Sequence, residues 1–211
     1  MDQATLLPDQ LEITRRTLSV SVSAVVIAGA LGLPLGAWLA VARFRGRSGI
    51  IAVLNAFMGL PPVVVGLVVY LLFSRAGPFG VLDLLFTTWA MILAQVIIVL
   101  PLIASLSQQV LRDLWLEYRD LLTSLGAAPR QRMALLLWDA RRSLLTALLA
   151  GFGRAVGEVG AILIVGGNID HLTRVLTTAI TLAVSKGNLT FAVARSTALS
   201  APALARCLGT G

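Results

Sequence analysis

Residues 84–111, LLFTTWAMILAQVIIVLPLIASLSQQVL, contain no charged side chain. A helix needs about 20 consecutive apolar residues to cross the hydrocarbon core of a bilayer. This stretch is long enough, and it predicts a membrane-spanning helix. Pro101 lies inside the stretch, where proline is tolerated if neighbouring helices or a cavity satisfy the freed backbone groups.

Four further apolar stretches predict additional spans by the same criterion. They cover residues 17–42, 48–74, 143–169 and 189–208. The first two are free of charge, and the second contains Pro61 and Pro62. The third is interrupted only by Arg154 and Glu158, and the last is more polar because it contains two arginines and a proline. We predict an all-α fold, a polytopic membrane helix bundle of about five transmembrane helices, with residues 1–211 forming a single transmembrane domain.

The composition agrees with a lipid environment. The 211 residues are 57% hydrophobic and 13% charged, with a mean hydropathy of +0.89, whereas soluble domains carry about 25% charged residues. A single cysteine, Cys207, excludes an internal disulfide and thiolate metal clusters. The single histidine, His171, is expected to be a solvated loop residue. We therefore expect no metal and no cofactor, and the N-terminal residues show no pattern of a cleaved signal peptide.

The net charge of +7 is explained by basic loops on one side of the membrane, and not by nucleic acid. Three arginines follow the first span and six lie in residues 112–142, against five Lys and Arg residues on the opposite face. Short cytoplasmic loops carry the excess of Lys and Arg. The pattern predicts a multi-pass protein of the inner (plasma) membrane with the N-terminus outside and the C-terminus in the cytoplasm.

The loop 112–142, RDLWLEYRDLLTSLGAAPRQRMALLLWDARR, is the longest polar segment between the spans. Its apolar residues recur at helical spacing until Gly126 and Pro129 interrupt them, and the pattern then resumes. This predicts a helix–turn–helix at the membrane surface, with Gly126 as a left-handed helix terminator. Two interpretations stay open: an amphipathic interfacial hairpin with snorkelling arginines, or a docking element for a cytoplasmic partner.

This loop resembles the EAA loop of ABC importer permeases. Asp120 stands at the acidic position and Gly126 at the glycine, and residues 124–127 match closely, whereas Leu121 and Leu122 replace two small residues. The resemblance implies that the loop forms a coupling helix that contacts a separate ATPase subunit. The residues implied in ATPase coupling are Asp120, Ser124, Leu125, Gly126, Ala127, Ala128 and Arg130.

Residues 150–188, AGFGRAVGEVGAILIVGGNIDHLTRVLTTAITLAVSKGN, resemble the permeases of tungstate importers, which are related to molybdate and sulfate permeases. The matching segments are 157–160, 166–169, 173–174 and 177–180. The resemblance covers roughly residues 11–190 and ends where the chain becomes rich in Ala and Ser. It implies a homodimer, a cytoplasmic ABC ATPase dimer, an extracytoplasmic oxyanion-binding protein, and tungstate or molybdate as the transported ion.

Arg154 and Glu158 are four residues apart, which places them on one face of the predicted fourth span. A lone ion in lipid costs several kcal/mol, and a pair at this spacing neutralises itself. The pair is either an intrahelical salt bridge that fixes the helix against its neighbours or part of the lining of a translocation path. Candidate residues for the path or for helix packing are Arg154, Gly157, Glu158, Gly160 and Asn168.

Gly153 and Gly157 form a small-xxx-small pair, which lets two helix backbones approach closely. The pair fits either a helix at the centre of a permease dimer or close packing within one subunit.

The sequence contains neither a phosphate-binding loop nor a catalytic constellation. No G-x-x-x-x-G-K-[ST] motif occurs, so another chain has to hydrolyse ATP. We predict a transport subunit without catalytic residues. The alternatives are a small polytopic membrane enzyme, which would need clustered His, Asp or Glu at one face, and a secondary transporter, for which we find no inverted repeat.

Overall fold

The computed structural model describes residues 3–42, 44–169 and 172–187, and all regular structure within them is helical. The helices are α1 (Gln3–Val41), α2 (Arg47–Met58), α3 (Pro62–Phe73), α4 (Thr88–Ser124), α5 (Pro129–Val156), α6 (Gly160–Gly166) and α7 (Leu176–Ser185), with a 3₁₀ turn at Gly80–Leu82. The predicted all-α class is confirmed. The predicted span 189–208, with Cys207, and the predicted loop residue His171 lie outside the described residues.

Helix α4 forms the centre of the bundle. It packs most extensively against α1 and also contacts α2, α3, α5 and α6. Its side chains Met91, Val99 and Ile103 have no solvent exposure. A β-carbon at Gly36 of α1 would lie 2.6 Å from the carbonyl oxygen of Ala104. A glycine at this position therefore lets α1 and α4 pack backbone to backbone.

Two helices of the described residues are each long and apolar enough to cross a membrane, namely α1 from Glu12 onward and α4. The apolar runs 48–74 and 143–169 each form two helices, with a bend of 101° between α2 and α3 and of 57° between α5 and α6. Each bent pair has the geometry of a broken span or a re-entrant loop, which gives up to four spans in the described part of the chain. The α2–α3 bend has a clear cause, since Pro61 is extended and Pro62, the first residue of α3, has no N–H to continue the ladder.

Helix α4 is longer than a membrane is thick. Its 37 residues span about 55 Å at 1.5 Å per residue, against about 30 Å for the hydrocarbon core. The charge-free part ends at Leu111, so residues 112–124 continue about 20 Å beyond it. The helix–turn–helix predicted for residues 112–142 is present, and its two arms are direct continuations of α4 and α5.

Candidate functional site

The first candidate site is the tip of the α4–α5 hairpin (residues 112–142). Gly126 has φ +64°, which confirms the predicted left-handed helix terminator. The N–H of Gly126 donates to the carbonyl of Thr123 at 3.0 Å, and the N–H of Ala127 donates to that of Leu122 at 3.1 Å. These two bonds form a Schellman motif, which satisfies the last carbonyls of α4.

The start of α5 completes the turn. Pro129 is its first residue, where a missing N–H costs nothing. The N–H of Ala128 donates to Oε1 of Gln131 at 2.8 Å, and Nε of Arg132 donates to the carbonyl of Ala127 at 2.7 Å. The backbone groups of the four residues between the helices are thus largely satisfied, and the tip is an ordered turn.

The side chains at the tip face outward. Leu125 is 71% exposed, and the side chain of Asp120 is 85% exposed although it accepts a hydrogen bond from Arg119 at 3.0 Å. The other predicted coupling residues, Ser124, Gly126, Ala127, Ala128 and Arg130, lie in the same turn or within two residues of it, and all are exposed except the half-buried Ala127. Leu121, one helical turn before Leu125, is 59% exposed, so the tip presents two neighbouring exposed leucines, and contiguous exposed apolar surface is typical of interaction sites.

The stem of the hairpin holds its two helices together. Trp115 of α4 and Leu136 of α5 belong to one buried cluster. Tyr118 packs against this cluster, and its hydroxyl donates to Oδ2 of Asp139 at 3.0 Å. These contacts make the hairpin one packed unit that continues the bundle.

The second candidate site is the α5–α6 break (residues 157–159). Helix α5 ends at Val156, and Glu158 lies in the break. The bond from Nη1 of Arg154 to Oε2 of Glu158 is present at 3.1 Å, as expected. The expectation that both residues lie within one helix is wrong, because the backbone leaves the helix between them. Because Glu158 lies outside the helix, its second carboxylate oxygen, Oε1, accepts a hydrogen bond from the N–H of Ala161 at 3.0 Å.

The two partners of this ion pair differ in burial. The side chain of Glu158 is 4% exposed and that of Arg154 is 36% exposed. Arg154 also lines a cavity of about 60 Å³ together with Phe57, Met58, Leu60 and three aliphatic side chains. This cavity lies at the α2–α3 bend, so the two bends of the bundle adjoin at the guanidinium.

Close packing of α3 on α6 holds the two bends together. A β-carbon at Gly66 would lie 2.6 Å from Cα of Ala161, and one at Gly160 would lie 2.6 Å from the side chain of Val63. The predicted site residue Gly160 thus serves helix packing. Asn168 does not join the ion pair, because α6 separates them; it has φ +51° and its side chain accepts from Arg174 at 3.4 Å.

The glycines of α5 behave differently from one another. Gly151 packs against Ile103, where a β-carbon would meet its side chain at 2.9 Å. A β-carbon at Gly153 would meet no other part of the described chain within 4 Å. A β-carbon at Gly157 would meet only the carbonyl oxygen of Gly153 there, at 3.3 Å. Close packing within the subunit therefore uses Gly151 in the described chain, and not the Gly153–Gly157 pair.

Two residues that no sequence motif singles out also hold the backbone at the break. Nε2 of Gln95 donates to the carbonyl of Ala155 at 2.8 Å, and Oγ1 of Thr177 donates to the carbonyl of Glu158 at 3.1 Å. Gln95 is visible in the sequence as an amide within an apolar span, but its partner 60 residues away is not.

The fold and the two candidate sites point to one class of protein. The described residues form a helical membrane protein with an exposed hairpin at one end of its central helix, α4, and a buried ion pair at a broken helix. They hold no group of three or more His, Cys, Asp or Glu side chains placed to bind a metal ion. Residues 32–207 match the family of binding-protein-dependent transport system inner membrane components. This match covers most of the chain, so the chain belongs to that family and is a transport component rather than an enzyme.

Individual relatives support the same family. The chain is 44% identical over 202 residues to a probable anion ABC transporter permease protein of Haloferax volcanii, covering 93% of this chain and 85% of that protein. It is 39% identical over 175 residues to a tungstate uptake system permease protein of Peptoclostridium acidaminophilum, covering 83% and 77%. It is 30% identical over 176 residues to a molybdenum transport system permease protein of Azotobacter vinelandii, covering 76% and 74%. These similarities confirm the suspected group, the ABC importer permeases of the tungstate, molybdate and sulfate type.

Proposed function

We propose that this chain is the permease subunit of an ABC importer that carries tungstate, or its close analogue molybdate, into the cell. It works as a homodimer, with a dimer of ATPase subunits on the cytoplasmic face and an oxyanion-binding protein on the other. The support for the ion is the similarity to tungstate and molybdenum permeases. The observation that carries the coupling role is the ordered, exposed tip of the α4–α5 hairpin.

The hairpin tip has the properties of a surface that a partner covers. Leu125 is 71% exposed, and full burial of a leucine side chain contributes about 1.5–3 kcal/mol. The Schellman turn and the bond from Ala128 to Gln131 fix the backbone around it, so little conformational entropy is lost when a partner binds. The proposed orientation puts this tip in the cytoplasm, in keeping with the six arginines of residues 112–142.

Substituting Leu125 tests this contact. We expect Leu125→Asp to abolish co-purification of the ATPase subunits while membrane insertion stays as in the parent chain. The matched control is Leu116→Asp, since Leu116 is 50% exposed on the same helix and lies nine residues, about 14 Å, from the tip. Retention of the ATPase by the Leu125 variant at the level of the control would contradict the proposed docking surface.

The proposed translocation path passes the Arg154–Glu158 pair. A tungstate or molybdate dianion would be repelled by Glu158 alone, so the path requires the carboxylate to be neutralised. The structure gives that carboxylate two donors, Arg154 at 3.1 Å and the N–H of Ala161 at 3.0 Å. With Glu158 held this way, the remaining N–H groups of the guanidinium can face an anion in the adjoining cavity.

The transported ion is tested by uptake into proteoliposomes that contain the permease with its ATPase and binding protein. We expect ATP-dependent uptake of tungstate or molybdate in preference to sulfate, measured by elemental analysis of the vesicles. Equal uptake of all three would contradict the proposed selectivity, and uptake of none would contradict the proposed function.

A further inference from the structure

Gln95 is a buried amide that is only half satisfied. It is 1% exposed in the middle of the bundle. Its Nε2 donates to the carbonyl of Ala155 at 2.8 Å, whereas its Oε1 has no hydrogen-bond partner among the described residues. Rotating the amide by half a turn would place Oε1 against the carbonyl oxygen of Ala155, and both are acceptors. The orientation in which Nε2 donates to that carbonyl is therefore the favourable one.

Gln95 adjoins a space that is too narrow for a water molecule. The space beside Gln95 is lined by apolar side chains and by Thr17, Ser21 and Thr177, and it has no volume that a water molecule could enter. A buried acceptor without a donor destabilises a fold, and an apolar side chain of the same shape would avoid that cost. Stability alone therefore does not explain a glutamine at this position.

The contact that Gln95 makes explains it better. Ala155 lies in the last turn of α5, where carbonyls lose their intrahelical partners, and its carbonyl accepts from the N–H groups of Gly157 and, at 3.3 Å, of Glu158. Gln95 adds a shorter bond of 2.8 Å from α4. On the other side of the ion pair, the hydroxyl of Thr177 holds the carbonyl of Glu158.

We propose that Gln95 is a positioning residue for transport. It fixes the α5–α6 break so that Arg154, paired with Glu158, presents its guanidinium to the cavity at the α2–α3 bend. Gln95 itself lies outside that cavity, whose lining includes Arg154, and therefore acts through the helix end that it caps. This inference rests on the proposed function, in which the pair lines the path.

The test uses Gln95→Met in the complete transporter, because methionine has a similar length and no hydrogen-bonding amide. Gln108→Met is the matched control: Gln108 is also buried on α4, at 6% exposure, but lies 13 residues, about 20 Å, from Gln95. Three quantities are measured for each variant: thermal stability, hydrogen exchange of residues 153–161, and oxyanions transported per ATP hydrolysed.

We expect Gln95→Met to be as thermally stable as the parent, to exchange residues 153–161 at least tenfold faster, and to transport several-fold fewer ions per ATP. Gln108→Met should leave the hydrogen exchange of residues 153–161 and the number of oxyanions transported per ATP unchanged. If Gln95→Met does not assemble, Gln95→Asn replaces it, since the shorter amide keeps its polarity but does not reach Ala155.

Two results would overturn the inference: unchanged hydrogen exchange at the break, or loss of thermal stability with transport per ATP unchanged. If the parent transporter carries no oxyanion, the proposed function fails. The exchange comparison then still shows whether Gln95 fixes the break.

Discussion

The Arg154–Glu158 pair gives the sharpest prediction because its two side chains differ in burial. Arg154→Met leaves a carboxylate that is 4% exposed with one backbone donor. Removing one partner of a buried pair costs about 3–5 kcal/mol. Glu158→Gln leaves a guanidinium that is 36% exposed and partly hydrated, so its cost is about 1–3 kcal/mol. The arginine variant should therefore be the less stable of the two.

The double variant measures the interaction itself. Because Arg154→Met and Glu158→Gln together leave no unpaired charge, their combined cost should fall short of the sum of the single costs by about 2 kcal/mol. The assay is the free energy of unfolding of the purified complex in a detergent titration. The Glu12–Arg16 pair is a matched control with the same spacing and greater exposure of the carboxylate, at 46%, and should show a coupling of about 0–1 kcal/mol.

Two results would refute this reasoning: an Arg154→Met variant as stable as the parent chain, or a coupling energy no larger than that of the Glu12–Arg16 control. Uptake by the double variant then separates the two roles considered for the pair. If the pair only packs the bundle, the assembled double variant should still transport. If the pair lines the path, the double variant should assemble and be inactive.

Three further predictions follow from the glycines and from the sequence motifs. Gly126→Ala forces a β-carbon into a left-handed conformation at a cost of about 1–2 kcal/mol and should reduce transport-coupled ATP hydrolysis, whereas Gly49→Ala, with open space around it, should have no effect. Gly66→Val should impair folding because its β-carbon would lie 2.6 Å from Cα of Ala161. Gly153→Val should leave the fold of the single chain intact. Normal assembly of the Gly153 variant would show that no second copy of the chain packs against Gly153. The purified chain alone should hydrolyse no ATP, and measurable turnover would contradict the absence of a nucleotide site.

Much of the fold was predictable because apolar runs and their breakers act locally. The charge-free run 84–111 predicts the central helix, and Gly126 followed by Pro129 predicts the turn between α4 and α5. The helix bends were not predictable to the same degree. Pro61 and Pro62 signalled the first, but the second lies at Gly157, a residue type that membrane helices tolerate.

The candidate site was predicted only where it depends on sequence spacing. Arg154 and Glu158 are close in sequence, and their bond was expected. The break between them is held by Gln95 and Thr177 from distant helices and by the N–H of Ala161, and no local pattern encodes such contacts. Hydrogen bonds from distant residues thus determine the backbone geometry at the α5–α6 break, which the hydrophobic periodicity of the sequence does not specify.

The length of α4 has a mechanical consequence. One continuous helix joins the hairpin tip at Ser124 to Gln95 at the break, a distance of about 44 Å along its axis. A tilt of this rod by about 5°, pivoting at the tip, displaces Gln95 by about 4 Å over that length. Such a displacement exceeds the 2.8 Å distance between Nε2 of Gln95 and the carbonyl oxygen of Ala155. A rotation of α4 relative to α5 would therefore separate Gln95 from the α5 end beside the ion pair, whereas a rotation of the hairpin as one packed unit would carry both groups together.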